Sequence, residues 1–372
     1  MNWQNEFPQH HNLVYLNHAA VGPWPQRAAT AVSAFAQENV VQGAAEYPEW
    51  LKVEQQLRKR LKALINAPDS DDIALQKNTS EALSVIAYGL NWQPGDNVVI
   101  SSQEFPSNRL VWESLARFGV NVKVAELAHK EDPDQAVIDC IDHRTRLLSI
   151  SSVQYASGLK MDCQRLGKVC KQRNILFCLD AIQSIGAQVF DVQAYQADFV
   201  VADGHKWMLG PEGLALFYST PEARQQLQLN EYGWHMVKHR GNYDRLEWEP
   251  LDNAQRFECG SPNMLCAYAL NASLSLLEEV GMPQVEEQLQ QRVQYLLDGL
   301  GKHPDITVIS PTTLHRRAGI VTFRHKLVSA PKLHQTLMDK HIICAHRGGG
   351  VRFSPHFYIP FEKLDEALNL LD

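Results

Sequence analysis

The chain has 372 residues, 45% of them hydrophobic and 21% charged, with a formal net charge of -7. That length can bury a large core and suits two domains of unequal size, and the acidic balance lacks the basic face that nucleic acid or an anionic membrane would require. The seven cysteines form an odd set without a Cys-x-x-Cys pair, a pattern of reduced thiols in a cytoplasmic protein and not of a disulfide framework or a zinc site.

The first residues, MNWQNEFPQHHNLVYLNHAA, carry no basic stretch leading into an apolar run, so no signal peptide is expected. No apolar stretch reaches the roughly 18 residues of a membrane span either. After Leu75-Gln76-Lys77, the residues Asn78, Thr79, Ser80 and Glu81 open a helical run to Leu90. Hydroxyls at such a start cap the helix, and the free amides there attract an anion. Apolar, β-branched runs at Asn97–Ser101, Asn121–Ala125, Leu147–Val153, Ile175–Asp180, Phe199–Ala202 and Leu214–Tyr218 predict short buried strands. Helical patterns at Ser107–Phe118, Pro133–Asp142 and Cys163–Arg173 alternate with them. This alternation predicts an α/β fold with a mainly parallel sheet covered on both faces, three layers in all. Two long helices, Asn263–Val280 and Pro283–Leu300, precede strands near Ile306–Ile309, Gly319–Arg324 and Val351–Ser354 and a last helix, Glu362–Leu371. The expected division is a large domain over 14–255 and a smaller C-terminal α+β domain over 256–372, with segment 1–13 packing on the latter.

Ligands of parallel sheets bind beyond the carboxyl ends of strands, so the residues that follow the strands carry the chemistry. The strand NILFCL runs into Asp180, a carboxylate with little water around it that needs a cationic partner. A pyridinium nitrogen is one such partner, and Gln183 beyond it is placed for a ring oxygen. The strand ADFVVA leads to Asp203-Gly204-His205-Lys206, where apolar neighbours would lower the pKa of Lys206 and make its amine a nucleophile. The bland alternatives are a helix cap for Asp180 and a solvated loop lysine for Lys206; the pairing on successive strand ends argues against both. Phe105, after the strand NVVISS, is placed to lie over a flat ring, with Ile182 for the opposite face.

Together these residues resemble the class V aminotransferase branch of fold-type-I pyridoxal-phosphate (PLP) enzymes, which includes cysteine desulfurases, selenocysteine lyases, kynureninases and isopenicillin-N-epimerase-like proteins. The likeness extends from about Tyr15-Leu16-Asn17 to the last helix and is most specific in FCLDAIQSIGA (177–187) and FVVADGHKWMLGPEG (199–213). It implies that Lys206 holds PLP as a Schiff base, that Asp180 partners the ring nitrogen and Gln183 the ring oxygen, and that Thr79, Ser80 and His205 bind the phosphate. Lys206, Asp180 and His205 are thus the catalytic candidates, with Phe105 completing the cofactor site. RFECGSPN (256–263) is similar to a loop that crosses a dimer interface, which implies a homodimer whose Ser261 reaches the neighbour's phosphate. VRFSPHFY (351–358) resembles the segment whose arginine grips a substrate α-carboxylate. Arg352 takes that role, with Arg347 and Tyr155 as further substrate-binding candidates. No metal is implied.

Departures from the family bear on the reaction. Desulfurases of this branch usually place a histidine where Phe105 stands, and many relatives have serine where Asp203 stands; an anionic Asp203 is expected to point away from the phosphate. The desulfurase pattern Arg-x-Gly-x-x-Cys is replaced by His346-Arg347-Gly348-Gly349-Gly350-Val351-Arg352, with Cys344 on the wrong side of Arg347. The glycines at 348–350 are expected to let backbone approach the substrate. Gly233-Trp234-His235 and Val153-Gln154-Tyr155 echo kynureninases. The expected activity is C–S bond cleavage by β-elimination on a small, cysteine-like amino acid. The alternatives are transamination, epimerisation, and a PLP-fold binding protein without catalysis, against which intact Lys206, Asp180 and Arg352 argue.

Overall fold

The computed structural model describes residues 3–128 and 130–371. The outermost positions of the expected 1–13 and 256–372 segments (Met1, Asn2 and Asp372) therefore lie outside the described residues.

Seven strands form one sheet in the order Ile73–Gln76, Ala215–Ser219, Phe199–Asp203, Leu176–Asp180, Thr145–Ser151, Asn97–Ser101 and Asn121–Ala125. Ala215–Ser219 runs against the other six. Four of the strands are buried along their whole length, and the two-residue period of a strand divides their side chains between two cores. Leu148, Leu179, Val200 and Leu216 enter one, and Leu147, Cys178, Val201 and Phe217 the other. Helices Thr79–Gly89 and Ser107–Glu113 close the second through Leu83, Ile86 and Trp112. Cys163–Gln172 and Met264–Val280 close the first through Leu166, Cys170, Leu270 and Leu274. This is the three-layer, mainly parallel architecture expected from the alternation of strands and helices. After Asn97–Ser101 the chain moves out to the edge strand and returns on the other side as Thr145–Ser151. A crevice opens beyond the carboxyl ends of strands at such a reversal.

A second sheet has the antiparallel order Ala345–Arg347, Gly350–Phe353, Val321–His325 and Ile306–Val308. Val14–Tyr15 pairs in parallel with Ile342–Ile343, and the ring of Phe7 stacks on Tyr358 at 3.5 Å. The start of the chain is thereby built into its last third. Gly348 and Gly349, at φ 56° and 75°, form the two-residue turn between Ala345–Arg347 and Gly350–Phe353. Positive φ at both positions is what such a hairpin demands. A side-chain carbon at Gly350 would meet the carbonyl oxygen of Phe323 at 2.3 Å. These glycines serve strand pairing, a role the sequence did not reveal.

Helices Gln26–Gln42, Tyr47–Leu64 and Ala330–Asp339 add to the expected elements. The expected Ser107–Phe118 helix keeps α geometry only to Glu113, then tightens to a 3₁₀ turn that Gly119 ends at φ 76°. Among the described residues no helix is long and apolar enough to cross a membrane.

Candidate active site

A cavity of ≈ 320 Å³ lies at the carboxyl ends of the large sheet, within the range of small-ligand sites. Thr79, Ser80, Phe105, Tyr155, Asp180, Gln183, His205, Lys206, Arg347 and Arg352 all line it. Of the site residues expected from the sequence, Ser261 alone is not in the cavity; it lies exposed elsewhere on the chain.

Lys206 follows the strand Phe199–Asp203 and is buried between Trp207 and the cavity. Its Nζ lies 5.6 Å from the centre of the Phe105 ring. Burial pulls its pKa down to about 8, and Arg352 and Arg347 act in the same direction against the attraction of Asp180 and Asp203. The backbone around it is fixed tightly. Leu209 adopts the left-handed conformation at φ 59°, and its N–H donates to the carbonyl of Lys206 at 3.1 Å. From the other side Gly22 donates to the carbonyl of His205 at 2.7 Å, and a side-chain carbon at Gly22 would meet the Lys206 carbonyl oxygen at 2.2 Å.

Asp180 ends the strand Leu176–Asp180, fully buried. Burial raises its pKa to about 7, opposed first by the Ile182 N–H that donates to Oδ1 at 3.1 Å. Nearby Glu104 raises it further, and Lys206 lowers it. The segment after Asp180 is a turn, so the helix-cap alternative gives way to a local side-chain turn around Ile182. Gln183 accepts from the indole of Trp207 at 2.8 Å and donates to the carbonyl of Ala19 at 3.0 Å. Its amide is thereby locked in the wall with one N–H left for a ligand.

At the other end of the cavity the cap of helix Thr79–Gly89 is Asn78, whose Oδ1 accepts from the Glu81 N–H at 2.9 Å. That corrects the expectation of capping hydroxyls and frees them. Thr79 Oγ1 is buried without a hydrogen-bond partner, while Ser80 donates to Ser107 at 2.8 Å. Asp203, expected to point away from a phosphate, borders the same cavity. Its Oδ1 lies 2.8 Å from His205 Nδ1. Neither atom makes a hydrogen bond in this geometry, so both remain available to a ligand of the cavity.

Arg352 comes from the second sheet, on the strand Gly350–Phe353, and is 2% exposed. It donates from Nη1 to the carbonyl of Tyr155 at 2.6 Å, and its Nε has no partner. Burial lowers its pKa to about 10, and Arg347 adds to the effect. A buried guanidinium without a carboxylate beside it is a vacancy for an anion. Tyr155 meets Phe105 edge to face at 5.2 Å, so the expected ring platform and the carboxylate site share a wall.

Sequence reasoning assigned nothing to Glu104. Its carboxylate accepts from Ser101 Oγ at 2.6 Å, Ser151 Oγ at 2.5 Å, Asn108 at 2.8 Å, Gln154 at 3.1 Å and the Ser151 N–H. Every donor is neutral, and together they stitch the Phe105 turn to the strand beside Asp180. The signal was present in the sequence: a carboxylate just past an apolar strand, as at Asp180.

The vacancies match the parts of PLP one by one. Orphaned Thr79 Oγ1, Ser80 and the amides of an eleven-residue helix suit a phosphate. Asp180 lacks the cation that a protonated ring nitrogen supplies, and Phe105 and Ile182 both border the space where a ring would lie.

Comparison with known proteins agrees. A probable cysteine desulfurase of Pyrococcus abyssi is 27% identical over 99% of this chain and 96% of its own. The apo cysteine desulfurase of Thermococcus onnurineus superposes with a TM-score of 0.89 at 24% identity, over 99% of this chain and 96% of that one. A cystine C–S lyase solved with its product, cysteine persulfide, gives 0.92 at 22% identity, over 98% of this chain and 99% of that one. The Aminotransferase class-V profile matches residues 14–357, which takes in every candidate site residue. Profile, fold and cavity agree that the chain belongs to the class V aminotransferase family and is a PLP-dependent enzyme.

Proposed function

We propose that the protein is a C–S lyase that removes sulfur from a cysteine-type amino acid by β-elimination. The observation that carries a carboxylate-bearing substrate is Arg352, buried beside Lys206 with its Nε unpartnered. The choice of C–S chemistry is supported by the relatives, named as desulfurases and a C–S lyase. Bound PLP supplies an electron sink for the charge left when Cα loses its proton. The protein's own groups then divide the work. Arg352 binds the α-carboxylate through its planar fork and so orients Cα. Lys206, with a pKa near 8, offers a neutral amine at lower pH than an ordinary lysine and takes the Cα proton. Asp180 holds the positive ring nitrogen, and Phe105 and Tyr155 exclude water from one side.

None of the residues around the cavity is a cysteine, and Cys344 is buried, its thiol pushed up to about 12. Sulfur therefore leaves directly as sulfide, or as persulfide from cystine, and does not pass through an enzyme thiol. Incubating the holoenzyme with a panel of amino acids tests this. Cysteine should give pyruvate, ammonia and sulfide in equal amounts. A keto acid formed only with a second amino acceptor would make the enzyme a transaminase, and no turnover of any member would favour a binding protein.

The reading extends to the assembly and its division. We infer a large domain over 14–255, a small one over 256–372, and a homodimer that shares its two sites. Supporting this, Ser261 is exposed and does not line the cavity of its own chain. Mixed Ser261→Ala and Lys206→Ala chains should regain activity on subunit exchange; a fully active monomer would refute it.

A further inference from the structure

A larger cavity, ≈ 730 Å³, lies between the N-terminal segment and the last third of the chain. Its walls are aromatic. Phe7 stacks on Tyr358 at 3.5 Å, and Trp3 meets Phe357 edge to face at 5.5 Å. Facing them is Arg292, from the helix Met282–Leu300 and only 7% exposed. Nε donates to the carbonyl of Ile359 at 2.6 Å, and Nη1 to the carbonyl and side-chain oxygens of Gln288 at 2.8 and 2.9 Å. All three acceptors are neutral, and no hydrogen bond from Nη2 occurs among the described residues. The guanidinium carbon sits 4.9 Å from the centre of the Phe361 ring.

Among the buried arginines, Arg352 and Arg317 form no salt bridge with an acid, whereas Arg58 pairs with Glu54 and Glu258 and Arg224 with Asp72 at 2.8 Å. Arg292 likewise meets no acid among the described residues, and burial alone lowers its pKa to about 10. No aspartate or glutamate lines the cavity, although the protein carries a net charge of -7; Lys363, His10 and His11 do line it. A buried charge left in this state is costly unless an anion completes it. Nε and Nη1 are taken by protein acceptors, so Nη2 alone is left for a ligand. One such donor flanked by amides and aromatic rings suits a single carboxylate oxygen on an apolar body better than a phosphate, which calls for several converging donors.

We propose that this cavity is a second ligand site, separate from the PLP site, that binds a small carboxylic acid with an aromatic or aliphatic body, its carboxylate on Arg292. Titrating the holoenzyme with 3-phenylpropionate and with its amide, by calorimetry and saturation-transfer NMR, tests it. The acid should bind at one site, at least tenfold more tightly than the amide. Arg292→Met should weaken it tenfold or more, and so should Gln284→Trp, which fills the cavity from an exposed position. Arg352→Met should leave it unchanged, because Arg352 serves the active site. Should Arg292→Met fail to fold, Gln284→Trp decides. The proposal is overturned if the acid does not bind at millimolar concentration, if the amide binds equally well, if binding survives Gln284→Trp, or if Arg352→Met alone abolishes it.

Discussion

Asp180→Asn in the cofactor-free protein isolates the electrostatic cost of the site. Burial, with Glu104 close by, raises the Asp180 carboxyl from 3.8 to about 7. The folded chain thus holds this proton more firmly than the unfolded chain, so its stability falls as pH rises. The loss begins near the unfolded value and is complete above the folded one. A rise of that size corresponds to at most about 4 kcal/mol at full ionisation. Asparagine keeps the oxygen that accepts from Ile182 at 3.1 Å but cannot ionise. Cofactor-free Asp180→Asn should therefore melt several degrees above the cofactor-free parent at pH 8, with the gap narrowing as pH falls and closing near pH 4. Calorimetric scans across that range measure it. With cofactor present the order should invert for function: the variant should hold PLP more weakly and lose several kcal/mol of transition-state stabilisation. A variant that melts below the parent at pH 8, or turns over normally, would refute this reasoning and leave Asp180 a residue of the turn.

Three further outcomes follow from the same geometry. Borohydride should fix the cofactor on the peptide containing Lys206, and mass spectrometry that finds it elsewhere would overturn that assignment. Arg352→Met should raise KM for the amino acid by the equivalent of about 2–5 kcal/mol, as for truncation of a buried charge pair; Arg352→Lys should recover only part of it. Cys344→Ser should retain most activity, since the thiol is buried and its pKa is pushed up to about 12; a persulfide found on Cys344 during turnover would return the enzyme to the persulfide-forming desulfurases.

The parallel sheet was legible because its central strands are apolar and the residues just past them are not, although the edge strand Asn121–Ala125, expected to be buried, buries only Ala125. Asp180 and Lys206 stand out against FCL and FVVA for that reason. Glu104 was passed over because QEFP reads as a polar turn, although the carboxylate folds back under the strand it follows. The helix Gln26–Gln42 escaped because it buries only Ala28, so it has no apolar stripe to detect. Charge alone could not place Asp203: it borders the cavity with Oδ1 2.8 Å from His205 Nδ1, a proximity that the sequence spacing of two does not reveal. Gly348 and Gly349 were correctly singled out as special backbone, but composition cannot separate a hairpin turn from a substrate-facing loop. The register of the two flanking strands does.

The charges of the cavity explain why cofactor and substrate belong together in it. Two arginines and a lysine face two aspartates, with Glu104 beneath, but they are not paired as they would be in a structural network. Arg352 leans on a carbonyl and Asp180 on a single N–H. Each retains an unmet need of one sign within the same cavity. A protonated ring nitrogen relieves Asp180, and the substrate's carboxylate relieves Arg352, which stands on the second sheet. In the proposed roles, groups of the large sheet would stabilise the cofactor, while the small sheet would supply the grip on the amino acid. Lys206 feels both, raised by Asp180 and lowered by Arg352. Binding an amino acid cancels the Arg352 charge and so should make Lys206 more basic just as a base is required.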